Sequence, residues 1–474
     1  MKVLMIHAPV RESLPPSSVP LGLAYIGAVL MKAGHKVEVL DICANKYTRE
    51  EVEERVKKDD FDIVLTGGMI TVYKYVKWLS QIIRKHHPNK PIFIGGAMPT
   101  SAPKVTLEKT EANAIILGEA EYTTLELVEA VEKGKGFEGI DGIWFKKDGK
   151  IVKNRQRDLI KNLDELPLPA WELFPMEIYI NNPNLDDLPP GTKSLGMSTA
   201  RGCPFNCTFC YNVFGARTNR RRGVDSIIHE IKELRRRYDV RAIHFSDDLF
   251  ISNKAFVKEF CRRLIDEKIG LIWGTSGRVN TVNLPTLKRM KEAGCIGILY
   301  GFESGSQKML DKMNKQVTIE QMKHAINITR EAGLKMYPNF MVGIPGESVE
   351  TIKETVEFIK EMDLYVQSLF IANPFPGSQL YDYAKSKGLI KDEEKFIEGC
   401  SECLELNLNV TDMSDEDLCY WRDWAVREIL SAYRKRHPIK ALRMDFHKIS
   451  ESVKKFGFIG TAKKAVNRIK RRIK

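Results

Sequence analysis

Over the first 130 residues, short apolar runs alternate with amphipathic stretches of helical length. The runs are Val3 to Ala8, Val37 to Ile42, Ile63 to Leu65, Ile92 to Ile94 and Ala114 to Leu117. That alternation predicts a parallel sheet covered by helices on both faces. Glycines or polar residues follow the runs at their carboxyl ends, as Thr66-Gly67-Gly68, Gly95-Gly96 and Gly118-Glu119. In open α/β sheets those ends are where ligands bind.

A connecting stretch over 134–193 carries a hairpin signal from Gly142 to Ile151, with Asp148-Gly149 supplying the positive φ angles of a tight turn. Its Pro-rich text, Leu166-Pro167-Leu168-Pro169-Ala170-Trp171, reads as an ordered linker lying on two domains. From Ser194 a second series begins, with strands near 194–199, 241–246, 270–275, 296–302, 336–342 and 367–372, each followed by a helical pattern. Six such units predict a partial (βα)6 barrel with chemistry at the strands' carboxyl ends. The pattern becomes mostly helical after Gly377. The expected organisation is an α/β chain with a doubly wound parallel-sheet domain over 1–133, a hairpin and Pro-rich linker over 134–193, a barrel over 194–380, and a helical C-terminal region over 381–474.

Composition changes this picture little. With 474 residues, 43% hydrophobic and 29% charged, the chain is neither a small stapled scaffold nor a disordered or collagenous one. The longest apolar stretch, Val19 to Met31, is broken by Pro20 and Gly22 and is too short to span a bilayer. The opening residues read as a strand that stops at Pro9 and show no leader pattern, so a cytoplasmic protein is expected. Charge matters more. The net charge of +12 is concentrated at one end, because residues 431–474 hold 15 Lys or Arg against only Asp445 and Glu451. The basic balance therefore describes a tail, and no nucleic-acid partner is expected. In that tail Ile449, Val453, Phe456, Ala462, Ala465, Val466, Ile469 and Ile473 recur at helical spacing among the basic residues, a pattern that suits an anionic membrane surface.

The strongest chemical signal is Cys203-Pro204-Phe205-Asn206-Cys207-Thr208-Phe209-Cys210-Tyr211, directly after the first barrel strand. Three thiolates on one tight loop can hold three irons of a [4Fe–4S] cluster, with no fourth cysteine nearby and one iron left open for a reacting ligand; a structural zinc, which usually takes four protein ligands in paired spacing, or a chance cluster of buried cysteines is the alternative. Of the nine cysteines, Cys43, Cys261 and Cys295 lie in strand or helix patterns and read as core. Cys400 and Cys403, with Cys419 further on, lack the fuller spacing of an auxiliary cluster and read as buried or incidental thiols.

The Cys203, Cys207 and Cys210 spacing, with Tyr211 after it, resembles the radical S-adenosylmethionine (SAM) signature. His244-Phe245-Ser246-Asp247-Asp248, Gly277-Arg278, Gly301-Phe302-Glu303-Ser304-Gly305, Val342 to Glu347 and Asn373 to Ser378 resemble successive strand ends of the branch that carries an N-terminal cobalamin domain. That branch includes the anaerobic magnesium-protoporphyrin cyclase and hopanoid methylases. The resemblance makes Cys203, Cys207 and Cys210 the cluster ligands and places Tyr211, Asp247, Asp248, Arg278 and Glu303 at SAM. Arg278 suits the methionine carboxylate, and the acidic residues suit its amino group or the ribose hydroxyls. Pro20 to Ile26, Gly67, Gly68, Met69, Thr71, Gly95, Gly96, Gly118 and Glu119 resemble the cobalamin-binding stretches of the same family. The Asp-x-His-x-x-Gly segment that brings a histidine to cobalt elsewhere is absent, so none is expected from this domain.

The resemblance implies three cofactors, a [4Fe–4S] cluster, SAM and cobalamin. It also implies an electron donor such as a flavodoxin or ferredoxin, and a small-molecule or lipid substrate. The implied reaction is SAM cleavage to a 5′-deoxyadenosyl radical, hydrogen abstraction from an unactivated carbon, and C-methylation through cobalamin. Radical oxidation or cyclisation of a tetrapyrrole or lipid is the alternative. A tRNA methylthiotransferase fits less well, because that family adds N-terminal cluster cysteines and a β-rich C-terminal domain.

Overall fold

The computed structural model describes residues 1–10, 16, 18–182, 185, 188–214, 217–401 and 403–442. The basic tail from residue 443 onward lies outside them, and with it the apolar positions from Ile449 to Ile473.

The first sheet contains β1 (Lys2–His7), β2 (Lys36–Asp41), β3 (Ile63–Gly67), β4 (Ile92–Gly95), β5 (Ala114–Ile116), β6 (Ile143–Lys147) and β7 (Lys150–Lys153) in the order β2-β1-β3-β4-β5-β6-β7. The first five are parallel, and β6 and β7 add on antiparallel. Strand β1 shows why these runs are continuously apolar. Its Leu4 and Ile6 pack into one core with Val52 and Val76, while Val3 and Met5 pack into another with Leu127 and Val128. A strand covered on both faces has no polar side to present. The hairpin turns at Asp148 and Gly149, both at positive φ (48° and 73°). It extends this sheet beside β5 instead of lying free between domains.

The second sheet contains β8 (Ser194–Met197), β11 (Ala242–Phe245), β12 (Ile272–Gly277), β13 (Cys295–Glu303), β14 (Lys335–Val342) and β15 (Phe370–Ile371), all parallel in the order β8-β11-β12-β13-β14-β15. Two further short strands, β9 (Ala200–Arg201) and β10 (Arg220–Arg221), pair antiparallel and close the loop that carries the three cysteines. The outer face is a packed core in which Phe245 meets Phe250, Phe260 and Trp273. The inner face is not filled in the same way. Phe340 and Val342 of β14 are buried, whereas the alternate Tyr337, Asn339 and Met341 stay half-buried, as does His244 of β11. This open half-barrel leaves a lumen at its concave side.

Buried polar groups bind the two sheets together. Glu230 accepts from the indole of Trp171 in the linker (3.2 Å) and from Arg222, whose guanidinium also reaches the Tyr25 hydroxyl of the first domain (3.4 Å). The C-terminal region returns to the first domain as well. Lys77 pairs with Glu394 (2.6 Å) and Glu398 (2.9 Å) of the helix Glu393–Glu398, and Ile397 and Cys400 join the first domain's core. Cys43, Cys261 and Cys295 are buried. Among the described residues no helix is long and apolar enough to cross a membrane.

Candidate functional site

Strand β8 ends against Asp247. This carboxylate, at the end of β11, accepts from the Ser198 hydroxyl (3.0 Å), the Thr199 amide (2.7 Å), the Ala200 amide (2.9 Å) and the Thr199 hydroxyl. Burial pushes its carboxyl up while these four donors pull the other way. Asp247 therefore fixes the chain where it leaves the barrel to enter the cysteine loop. Its Oδ1 takes three of these bonds and its Oδ2 one. Asp248 is open to solvent and close enough to Cys203 and Cys210 to act on them electrostatically. Burial among protein atoms, and then Asp247, raise its carboxyl.

The loop itself is braced at several points. The Thr208 amide bonds the Met313 carbonyl (2.9 Å), Asn314 donates to the Asn206 carbonyl (2.8 Å), and Asn219 donates to the Gly202 carbonyl (2.8 Å). Cys203, Cys207 and Cys210 are free thiols, and desolvation raises Cys203 and pushes Cys210 up to about 12. Iron supplies the positive charge that makes such thiols ligands. Among the described residues no three ligating side chains converge on a single point that would hold one metal ion.

Arg278, at the end of β12, lies 3.7 Å over the Phe205 ring, points Nη1 at the Cys207 sulfur (3.7 Å) and donates from Nε to Asn280 (3.1 Å). Its Nη2 is buried and has no partner among the described residues. A buried, unsatisfied guanidinium donor beside the cysteine loop fits a carboxylate ligand. Glu303 ends β13 with φ at +67°, next to a break in register at Gly301, and accepts from Lys315 (2.7 Å). A non-glycine residue held there stores strain, a common feature of ligand sites. Lys315 is the functional candidate the sequence did not reveal. It comes from a turn between Asn314 (φ 50°) and Gln316 (φ 55°) after a helix, not from a strand end, and no spacing announces it. Tyr211 leaves the barrel altogether, since its hydroxyl meets Ser101 Oγ of the first domain at 3.1 Å. Its ring lies edge-on to Phe375, and burial raises its hydroxyl to about 12.

On the first domain, Gly67 (φ 145°) and Gly95 cross backbone to backbone, as do Gly68 and Gly96. A Cβ on Gly67 would lie 1.9 Å from the Gly95 carbonyl oxygen. Gly67→Ala should therefore cost at least ~2 kcal/mol, read as an earlier urea midpoint for the first domain. The turns so formed present Met69, 49% exposed, and Thr71, whose buried hydroxyl has no partner among the described residues. Gly118 borders open space. An exposed apolar side chain, an unsatisfied hydroxyl and bare backbone fit a large, partly apolar ligand such as a corrin. His7, at the end of β1, is instead bound to Asp41 (2.9 Å), which also takes the Tyr179 hydroxyl (2.6 Å).

Glu119 is gripped by residues of the barrel and the linker. It accepts from Arg201 (2.9 Å), from both terminal nitrogens of Arg220 (2.8 and 3.0 Å) and from the Ile160 amide (2.8 Å). Burial alone would raise its carboxyl, but Arg220 and Arg201 outweigh burial and hold it below the usual range. Each oxygen accepts two of these bonds. Glu119 is the anion that holds the stem of the cysteine loop.

The Radical SAM superfamily model matches residues 197–359, and the B12 binding domain model matches residues 9–128. An uncharacterized methyltransferase of Pyrococcus horikoshii is 34% identical over 401 residues, covering 82% of this chain and 84% of that one. The chain belongs to the cobalamin-dependent radical SAM family. The anaerobic magnesium-protoporphyrin IX monomethyl ester cyclase of Rubrivivax gelatinosus is 31% identical, over 84% of this chain and 72% of its own. The radical SAM methyltransferase TsrM from Kitasatospora setae shares the fold, with a TM-score of 0.67 at 18% identity over 81% of this chain and 76% of TsrM. As a member of this family the chain uses a [4Fe–4S] cluster, SAM and cobalamin.

One barrel-end residue of this family member gives a pH signature. Burial pushes the Glu347 carboxyl from 4.5 up to about 7, against bonds from the Gly343 amide (3.2 Å) and the Thr351 hydroxyl. The folded chain holds this proton more tightly than the unfolded chain. Glu347 thus stabilises most below about pH 4.5, and that share, roughly 3 kcal/mol, is lost as pH rises through about 7. Glu347→Gln cannot lose a proton. Its urea midpoint should gain on that of the unaltered protein between about pH 5 and 8.

Proposed function

We propose that this protein methylates an unactivated carbon of a small molecule. The observation that carries the reading is the direct contact of Ser101, beside the cobalamin-face turns, with Tyr211, next to Cys210. The two cofactor-holding elements share one mouth above the half-barrel. When bound, the cluster with SAM supplies the radical that takes hydrogen from carbon, and cobalamin supplies the methyl group. The chain's own residues do the rest. Arg278 takes the SAM carboxylate, Asp248, Glu303 and Lys315 hold its amino and ribose groups, and Met69, Thr71 and the glycine turns bed the corrin. The half-filled lumen beside His244 and Asn339 receives substrate, and the linker and C-terminal helix close the domains against water.

Turnover with methyl-labelled SAM and a reductant such as ferredoxin or flavodoxin tests this across tetrapyrrole and lipid candidates. Label on a substrate carbon supports methylation. Substrate consumed with 5′-deoxyadenosine formed, but with label retained outside the product, moves the reading to oxidation or cyclisation.

Exposed Ile439 (70%) and Leu442 (59%), just before the basic tail, favour peripheral contact with anionic lipid as a second element of the proposal. Deleting residues 440–474 should abolish partition onto anionic vesicles, and unchanged partition removes this element.

A further inference from the structure

The two turns of the first domain that border the corrin face also hold the cysteine loop, one at each end. At the stem, β9 and β10 pair Arg201 with Arg220, and both arginines end on Glu119, while Arg201 also donates to Glu121 (2.6 Å). At the far end, Tyr211 follows Cys210 and meets Ser101. Thr100 ties the two turns together, because its hydroxyl donates to the Gly96 carbonyl (2.7 Å) and accepts from the Gly118 amide (3.0 Å). The Met98 amide donates to the Gly68 carbonyl (2.8 Å), which brings in the third turn. Hydrogen bonds and ion pairs thus link Gly68 and its neighbouring turns to both ends of the cysteine loop.

The charges reinforce the tie. Glu119 and Glu121 are almost fully buried, and the arginines they neutralise belong to the second domain. Removing Glu119 leaves the largely buried Arg220 on the loop stem without its counter-ion, a far costlier state than losing a surface pair. The stem therefore follows the turn Gly118–Glu121 wherever that turn goes.

We propose that Glu119 and Ser101 are positioning residues that couple cobalamin on the first domain to SAM at the cluster. A corrin bedded on the turns at 67–71, 96–101 and 118–121 orders them, and through Glu119 and Ser101 it holds the cysteine loop in its SAM-binding position. Because such coupling is a free energy between sites, it is reciprocal, and SAM tightens cobalamin by the same factor. This rests on cobalamin lying on that face, as the proposed function requires.

The test is SAM binding to anaerobically reconstituted protein with and without hydroxocobalamin, read as the change in the reduced cluster's EPR signal on titration. SAM should bind at least about fivefold tighter with cobalamin loaded. Glu119→Gln should keep its iron and its cobalamin while this ratio falls towards one. Ser101→Ala should lower the ratio without altering the stem, and it decides the matter if Glu119→Gln fails to fold. Equal SAM affinity with and without bound cobalamin overturns the coupling and leaves the proposed function standing. An unchanged ratio in both variants overturns the roles of Glu119 and Ser101. Loss of cobalamin alone from Glu119→Gln assigns that residue to the corrin and overturns its positioning role. If the unaltered protein binds no cobalamin, the proposed function and the coupling fall together.

Discussion

Replacing Cys203, Cys207 and Cys210 together with alanine should give a folded chain that binds cobalamin yet holds no iron and forms no 5′-deoxyadenosine. The loop does not depend on its thiols for shape. Its stem is the β9–β10 ladder, its entry is fixed by Asp247, and its interior is held by Thr208 to Met313 and by Asn314 to Asn206. Three small substitutions at half-buried or solvent-reached positions remove little packing. What they remove are the three thiols proposed to hold the cluster. Iron should fall from about four per chain to background, with unfolding midpoint and cobalamin spectrum unchanged. Iron retained at half or more would place the cluster elsewhere.

The largest effect on stability is expected at Arg222. Its guanidinium is 4% exposed and its partner Glu230 only 1%, and the pair joins the Trp171 indole of the linker to the Tyr25 hydroxyl of the first domain. Arg222→Met leaves Glu230 buried without its counter-ion, so its carboxyl must take up a proton or stay charged at high cost, a loss of about 3–5 kcal/mol. Combining it with Glu230→Leu should restore most of this, because removing both charges removes the desolvation penalty with them. Urea denaturation followed separately by signals from each domain checks this, since a chain of several domains need not unfold in one step. A double variant as unstable as Arg222→Met alone would show that the loss lies in packing around the side chain and not in the stranded charge.

The first sheet's parallel strands were legible because they are local apolar runs packed on two faces, as β1 is, and the cysteine loop because its three cysteines lie within eight residues. What local pattern does not contain is who answers whom across the fold. Glu119 and Asp247 read as cofactor residues, and nothing local shows that their donors come from 101 positions away for Arg220 and 48 for Thr199. Lys315 stayed hidden because a left-handed turn, not a strand end, delivers it. The hairpin's pairing with β5 and the clasp of Glu394 on Lys77 are likewise long-range choices that periodicity does not encode.

The central claim is that one chain brings cluster, SAM and cobalamin to a common mouth. Anaerobic reconstitution with iron, sulfide and hydroxocobalamin, followed by metal analysis, optical spectra and SAM turnover, tests it most directly. The account predicts about four irons and one cobalamin per chain, with 5′-deoxyadenosine formed under reduction. Iron and 5′-deoxyadenosine without bound cobalamin would contradict it, leaving the first domain's turns a packing feature and methyl transfer without a donor.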